Sequence, residues 1–225
     1  MSDLLTHLDD GVLRVTLNRG DRHNALDDIL IADLAAQFEQ AGQDPAVRVV
    51  VLAGDGSSFC AGADLRWMRS LATASEDENY ADALRLQRLF AVIDGLSRPV
   101  VARVQGPAIG GGCGLVACAD IAVAGPRAAF GLSEVRLGLA PAVISPFVVR
   151  KIGPSRAREL FLTGDRIDAP TARLYGLIHR LAEREEDLDA LTDKTVQSLL
   201  RGGPEALAAC KSLAQHAHTW ADPAE

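Results

Sequence analysis

The stretch from Val47 to Leu52 constrains this chain more than any other. It is a nearly continuous β-branched run, so both faces of the strand it forms are apolar and both need cover. Helices on a buried sheet supply such cover, which points to an α/β architecture. The neighbouring sequence has the helices. Ile31, Leu34, Ala35 and Phe38 recur at helical spacing behind Asp27 or Asp28, either of which can cap the helix. A longer helix is expected from about Glu76 to Leu96, with Leu84, Leu86, Leu89, Phe90 and Ile93 as its buried stripe, and Pro99 closes it. Pro99 to Gln105 and Ile121 to Ala124 read as further strands. At the start, Leu4 to Leu8 and Val12 to Leu17 form a hairpin across Asp9-Asp10-Gly11, whose Asp-Gly pair supplies the positive φ of a tight turn. From Pro141 onward the pattern is helical, punctuated by Gly153-Pro154, Gly164 and Gly202-Gly203-Pro204. A strand–strand–helix rhythm runs through the first half, without a sequence repeat or a low-complexity linker. These segments predict one α/β core over residues 1–180 and a helical C-terminal region over 181–225.

Composition narrows the function classes. A chain of 225 residues can bury about 70% of its unfolded surface, enough to hold a core without disulfides or metal. Its net charge of −7 argues against general nucleic-acid binding, which needs a basic footprint. Small anions remain open, because one or two local cations or a helix N-terminus can hold them. The N-terminus is acidic and lacks a long apolar run, and the stretch Val143–Val149 is broken by Ser145 and Pro146. A soluble cytoplasmic protein with no membrane contact is expected. Cys60, Cys113, Cys118 and Cys210 form no Cys-x-x-Cys pair and sit among small apolar neighbours, so they read as buried free thiols. His216 and His218, two apart, fall on different faces of a helix, and no metal site is expected. His23, Arg66, Arg69 and Arg136 read as surface residues.

The glycine run Gly110-Gly111-Gly112-Cys113-Gly114 follows a strand and opens an Ala-rich segment. No Lys follows it, so it is not a Walker loop. It also lacks the full dinucleotide fingerprint: the frame from Gly112 has no acidic residue about 20 positions on at a strand end. Taken alone, it is a tight turn. Glycines at a strand-to-helix junction also leave N–H groups free, where they can stabilise an oxyanion. Ala61-Gly62-Ala63-Asp64-Leu65 is a second turn of this kind. No Gly-x-Ser-x-Gly nucleophile elbow is present.

Five segments in order carry a resemblance: Ser58-Phe59-Cys60-Ala61-Gly62-Ala63-Asp64-Leu65, Arg98 to Gly106, Gly110-Gly111-Gly112, Ala119 to Ala124, and Phe130 to Pro141. Together they resemble the enoyl-CoA hydratase/isomerase (crotonase) family, from the N-terminal hairpin to about Leu181. Within it, Ser133 to Pro146 is most similar to bacterial hydratases of the methylglutaconyl-CoA and carboxygeranoyl-CoA type. The resemblance implies a crotonase-like spiral of ββα units with a helical C-terminal region. It also implies an acyl-CoA thioester substrate, with coenzyme A part of that substrate and no other cofactor. The assembly it implies is a homotrimer or hexamer.

Residue by residue, the resemblance makes Ala63 N–H and Gly111 N–H the two donors of an oxyanion hole. A thioester α-proton leaves only if the developing O⁻ is held, and each such donor is worth roughly 3 kcal/mol. Arg22, Ala25, Ala61, Asp64 and Leu65 would hold coenzyme A, and Gly112 and Gly114 would lie along the substrate. The family's hydratases use two glutamates, one for the water added at C3 and one for the C2 proton. Glu134 matches the second. The first falls on Gly114, which has no side chain. Read without the resemblance, Glu134 is a solvated carboxylate on a turn. With Phe130-Gly131 before it and Leu137-Gly138-Leu139 after it, an apolar surround and a raised pKa are expected. Three activities follow: hydration of an α,β-unsaturated acyl-CoA, double-bond isomerisation through Glu134 alone, and silent binding of a CoA thioester. The family usually continues past Ala221–Glu225 with a helical segment that helps cover the acyl-CoA site and supports trimers; either that segment is absent or the sequence given stops short of it, which puts the site's lid and some assembly contacts in doubt.

Overall fold

The computed structural model describes residues 2–216. His218 and the final residues Ala221–Glu225 lie outside the described residues.

The hairpin pairs β1 (Leu4–Asp9) with β2 (Val12–Leu17), antiparallel and in register from Leu4 against Leu17 to Asp9 against Val12. Asp10 and Gly11 take the positive φ that the Asp-Gly turn predicts. α1 (Asp28–Gln43) follows, capped by Asp27, whose side chain accepts from Leu30 N–H. Ile31, Leu34, Ala35 and Phe38 are all buried. β3 (Val49–Gly54) starts two residues later than the β-branched run suggests. α2 (Leu65–Leu71) is capped by Asp64, and α3 (Glu76–Gly95) by a Ser75–Glu78 capping box. On α3, Leu89, Phe90 and Ile93 are buried, but Leu84 is 45% exposed. Leu84 turns away from the face α3 presents to α1 and α4, so the expected stripe is narrower there.

β4 (Val100–Val104) leads through the two-residue β5 (Ala108–Ile109) into α4 (Gly111–Cys118), then β6 (Ile121–Ala124) and β7 (Ala129–Gly131). A single 3-10 turn covers Glu134–Leu137. α5 (Ser145–Thr163) is broken at Gly153, whose non-helical backbone precedes Pro154. β8 (Arg166–Asp168), α6 (Ala169–Tyr175), β9 (Arg180–Leu181), α7 (Leu188–Leu200) and α8 (Pro204–His216) complete the chain. Two short strands therefore interrupt the segment expected to be helical throughout.

Six strands form one sheet in the order β1-β2-β3-β4-β6-β9, parallel except for the hairpin. β5, β7 and β8 form a second, smaller sheet. The main sheet is covered on both faces, as the run Val49–Leu52 demands. Val50 and Leu52 join the large core with α1, α3, α4 and α5, while Val49 and Val51 pack with Val101, Val123, Leu188 and Val196 under α7. Cys60, Cys113 and Cys118 are buried; Cys210 on α8 is exposed, contrary to the buried reading, because α8 has no buried residues. No helix among the described residues is long and apolar enough to cross a membrane.

Candidate active site

Two chain reversals meet at the C-terminal side of the sheet. One is the turn Ala61–Asp64 that enters α2. The other is the step from β5 into α4 at Gly110. A bridge between Leu26 and Ala63 fixes the first: Leu26 N–H donates to Gly62 O at 2.7 Å, and Asp64 N–H donates to Leu26 O at 2.8 Å. These bonds flank Ala63, whose own N–H donates to no group among the described residues. Gly111 N–H, at the first turn of α4, is equally free. The two turns are pressed together. A Cβ on Gly62 would stand 2.8 Å from Ile109 O and 3.6 Å from Gly111 N, so only glycine fits there.

Glu134 lies against the second turn. Gly110 has φ +53°, and a Cβ there would come within 3.1 Å of Glu134 Oε1. The side chain is half-buried, and its Oε2 has no hydrogen-bond partner among the described residues. Burial pushes the Glu134 carboxyl above the ordinary carboxylate range, opposed only in part by a backbone hydrogen bond. A carboxylate left without a partner is costly to maintain and is what proton transfer near neutral pH needs. The Cys113 thiol nearby is pushed up to about 12 by burial, which keeps it out of nucleophilic chemistry.

A cavity of about 460 Å³ opens over these groups. Ala61, Ala63, Leu65, Gly111 and Glu134 of the expected residues lie in its wall. The rest of the wall is mainly apolar, from Leu26, Trp67, Met68, Ile109, Leu137 and Ile144. Asp82, its other carboxylate, is tied to Arg85. The remaining expected residues lie elsewhere. Arg22 and Asp64 line an adjoining polar cleft with Arg66 and Arg85, and that cleft shares Trp67 and Asp82 with the cavity wall. Ala25 is buried and lines neither space. Gly112 packs under the first turn, where a Cβ would stand 2.2 Å from Cys60 O. Gly114 is one layer behind the wall: a Cβ there would meet Ile144 Cγ2 at 2.6 Å and the Phe90 ring at 2.9 Å. An isoleucine methyl and a phenyl ring thus fill the room the family's first glutamate would need.

Sequence reasoning missed the contribution of α3, although a signal was present. Asn79, Asp82, Ala83 and Leu86 all line the cavity and recur at helical spacing. It also missed Arg166, which pairs across the small sheet with Gly131 and reaches the wall. Arg136, read as a surface ion-pair residue, pairs with Asp165 at 2.5 Å. His23 is exposed, with its Nδ1 3.0 Å from Ser58 Oγ. No cluster of three or more metal-ligating side chains occurs among the described residues.

A sheet covered on both faces, a small second sheet, and two free amides beside one half-buried carboxylate define a crotonase-fold protein. A family profile for enoyl-CoA hydratase/isomerase matches residues 7–225. An enoyl-CoA hydratase from Shewanella pealeana superimposes with a TM-score of 0.94 at 39% identity, over 98% of this chain and 83% of that one. The chain is 40% identical to an enoyl-CoA hydratase of Alternaria alternata over 90% of its own length, and it spans 66% of that relative. It is 34% identical to the 2,3-dehydroadipyl-CoA hydratase of Escherichia coli, over 94% of this chain and 81% of the relative. The chain belongs to the enoyl-CoA hydratase/isomerase family.

Proposed function

We propose that the chain hydrates α,β-unsaturated acyl-CoA thioesters. The observation that carries this reading is the unpartnered, half-buried carboxylate of Glu134 beside the two free amides of Ala63 and Gly111. The thioester oxygen accepts from both N–H groups, which strengthens its polarisation as water adds at C3 and charge moves onto oxygen. Glu134 delivers the proton to C2 of the enolate. Residue 114 offers no carboxylate, so the Glu134 carboxyl gives its proton to C2 and takes one back from the water that adds at C3. The relatives named as hydratases support this assignment over isomerisation.

Coenzyme A enters as part of the substrate, and the chemistry needs no separate cofactor. Its phosphates are taken to lie at the rim of the polar cleft, where Arg22 and Arg66 supply cations beside Asp27, Asp28 and Asp64 and the Asp82–Arg85 pair. The working form is taken to be a cytoplasmic homotrimer or hexamer. Leu65, Leu137 and Leu139 stand exposed around the cavity and are apolar surface that a neighbouring copy would cover.

The assay is the loss of conjugated enoyl-thioester absorbance on addition of protein. Steady turnover of a 2-enoyl-CoA is expected. Binding without any turnover across a panel of chain lengths would overturn the proposal.

A further inference from the structure

We infer that Arg19 is the positioning residue of the oxyanion hole. It follows β2, seven residues before Leu26 of the cavity wall, and its side chain is only 3% exposed. Its backbone is fixed first. Arg19 N–H donates to Asn24 Oδ1 at 2.9 Å, and Asn24 N–H donates back to Arg19 O at 2.9 Å. Asn24 is itself held by Asp55 O and Ser58 O.

The guanidinium then reaches three carboxylates. Nη1 lies 2.5 Å from Asp27 Oδ2, Nε 3.4 Å from Asp3 Oδ2, and Nη2 3.7 Å from Asp64 Oδ2. Asp27 and Asp64 are the residues that immediately follow Leu26 and Ala63, the two halves of the bridge that frames the free amide. Each also caps a helix. Asp27 Oδ1 accepts from Leu30 N–H, and Asp64 Oδ1 accepts from Arg66 and Trp67 N–H. One cation therefore ties together both strands of the bridge and the N-termini of α1 and α2. Without it, Asp27 and Asp64, which both line the polar cleft, would lose the cation they now share. The segment holding Ala63 would relax away from Leu26, and its N–H would lose its aim at the thioester oxygen. Nη2 makes no hydrogen bond and is buried, so its link to Asp64 is electrostatic and depends on the charge of both groups.

The inference rests on the reading of Ala63 N–H as an oxyanion donor, but it does not need hydration to occur. The probe is butanoyl-CoA, a saturated thioester that cannot be hydrated, labelled at the carbonyl carbon. Isotope-edited infrared spectroscopy reads the carbonyl stretch when the thioester is bound. Two conservative variants weaken the link: Arg19→Lys keeps the charge but replaces the planar fork with one ammonium that cannot reach all three carboxylates, and Asp64→Asn keeps the cap acceptor while removing the charge. In the unsubstituted protein the stretch is expected to fall well below that of free butanoyl-CoA. Each variant is expected to lose half or more of that fall. With a reactive 2-enoyl-CoA, kcat should drop about ten- to a hundredfold in both variants, while KM of Arg19→Lys, at a position that does not line the CoA cleft, changes by less than about threefold.

A role limited to stability would lower the unfolding temperature and leave the stretch unmoved. A folded variant of either kind with the full shift and unchanged kcat overturns the inference. No shift in the unsubstituted protein would overturn the oxyanion-hole reading itself. A shift without hydration would leave Arg19 in place and remove only the hydratase assignment.

Discussion

Glu134 is the residue on which the chemistry turns. Replacing it with Gln preserves shape and removes the group that gives and takes a proton. Turnover of 2-enoyl-CoA is expected to fall at least about a hundredfold while CoA-thioester binding persists, read by stopped assay and calorimetry. The same variant carries a pH signature. The folded-state pKa of Glu134 is raised above the ordinary 4.5, so the folded chain holds this proton more tightly than the unfolded chain does. Its contribution to stability is full below about pH 4.5 and is lost as pH rises through the raised value. Glu134→Gln has no such loss. The Tm of the variant relative to the parent should therefore rise with pH across that window and stay level below it, by calorimetry at a series of pH values. A Tm difference that is flat with pH would remove the burial account of Glu134. The free amides were legible from sequence because a glycine turn entering a helix leaves N–H groups without partners. The Arg19 cluster was not, because its carboxylates come from separate segments that meet only in the folded chain.

At the scale of elements, α3, α4 and the start of α5 meet at Gly114. The Phe90 ring and Ile144 methyl close over it, and Phe90 also stacks near Phe147 at 6.0 Å between ring centroids. Gly114→Ala should cost about 1–3 kcal/mol of stability in denaturant unfolding, through overpacking. Gly114→Glu should lose more and gain no activity, because the carboxylate would enter an apolar layer behind the cavity wall. Wild-type stability with increased hydration in that variant would show that residue 114 reaches the substrate. The main elements were legible in the sequence because each carries a strong local period: the hairpin, α1, α3 and the run of β3. β5, β7, β8 and β9 have two or three residues each. A strand that short has no period to read, and only pairing across the fold defines it. The misassigned Leu84 has a similar cause. Spacing gives the face of a helix, but not how wide a stripe its neighbours cover.

At the scale of the molecule, the exposed leucines around the cavity bear on assembly. Light scattering of the purified protein is expected to give a trimer or hexamer, and a monomer would contradict the proposed working form. Catalysis has a more direct test. Purified protein would be incubated with panels of 2-enoyl- and 3-enoyl-CoA thioesters in D₂O, and the products weighed by mass spectrometry beside Glu134→Gln. One added water and deuterium at C2, absent from the variant, is the predicted result. A shifted double bond with exchanged deuterium and no added water, or hydration that survives Glu134→Gln, would contradict it.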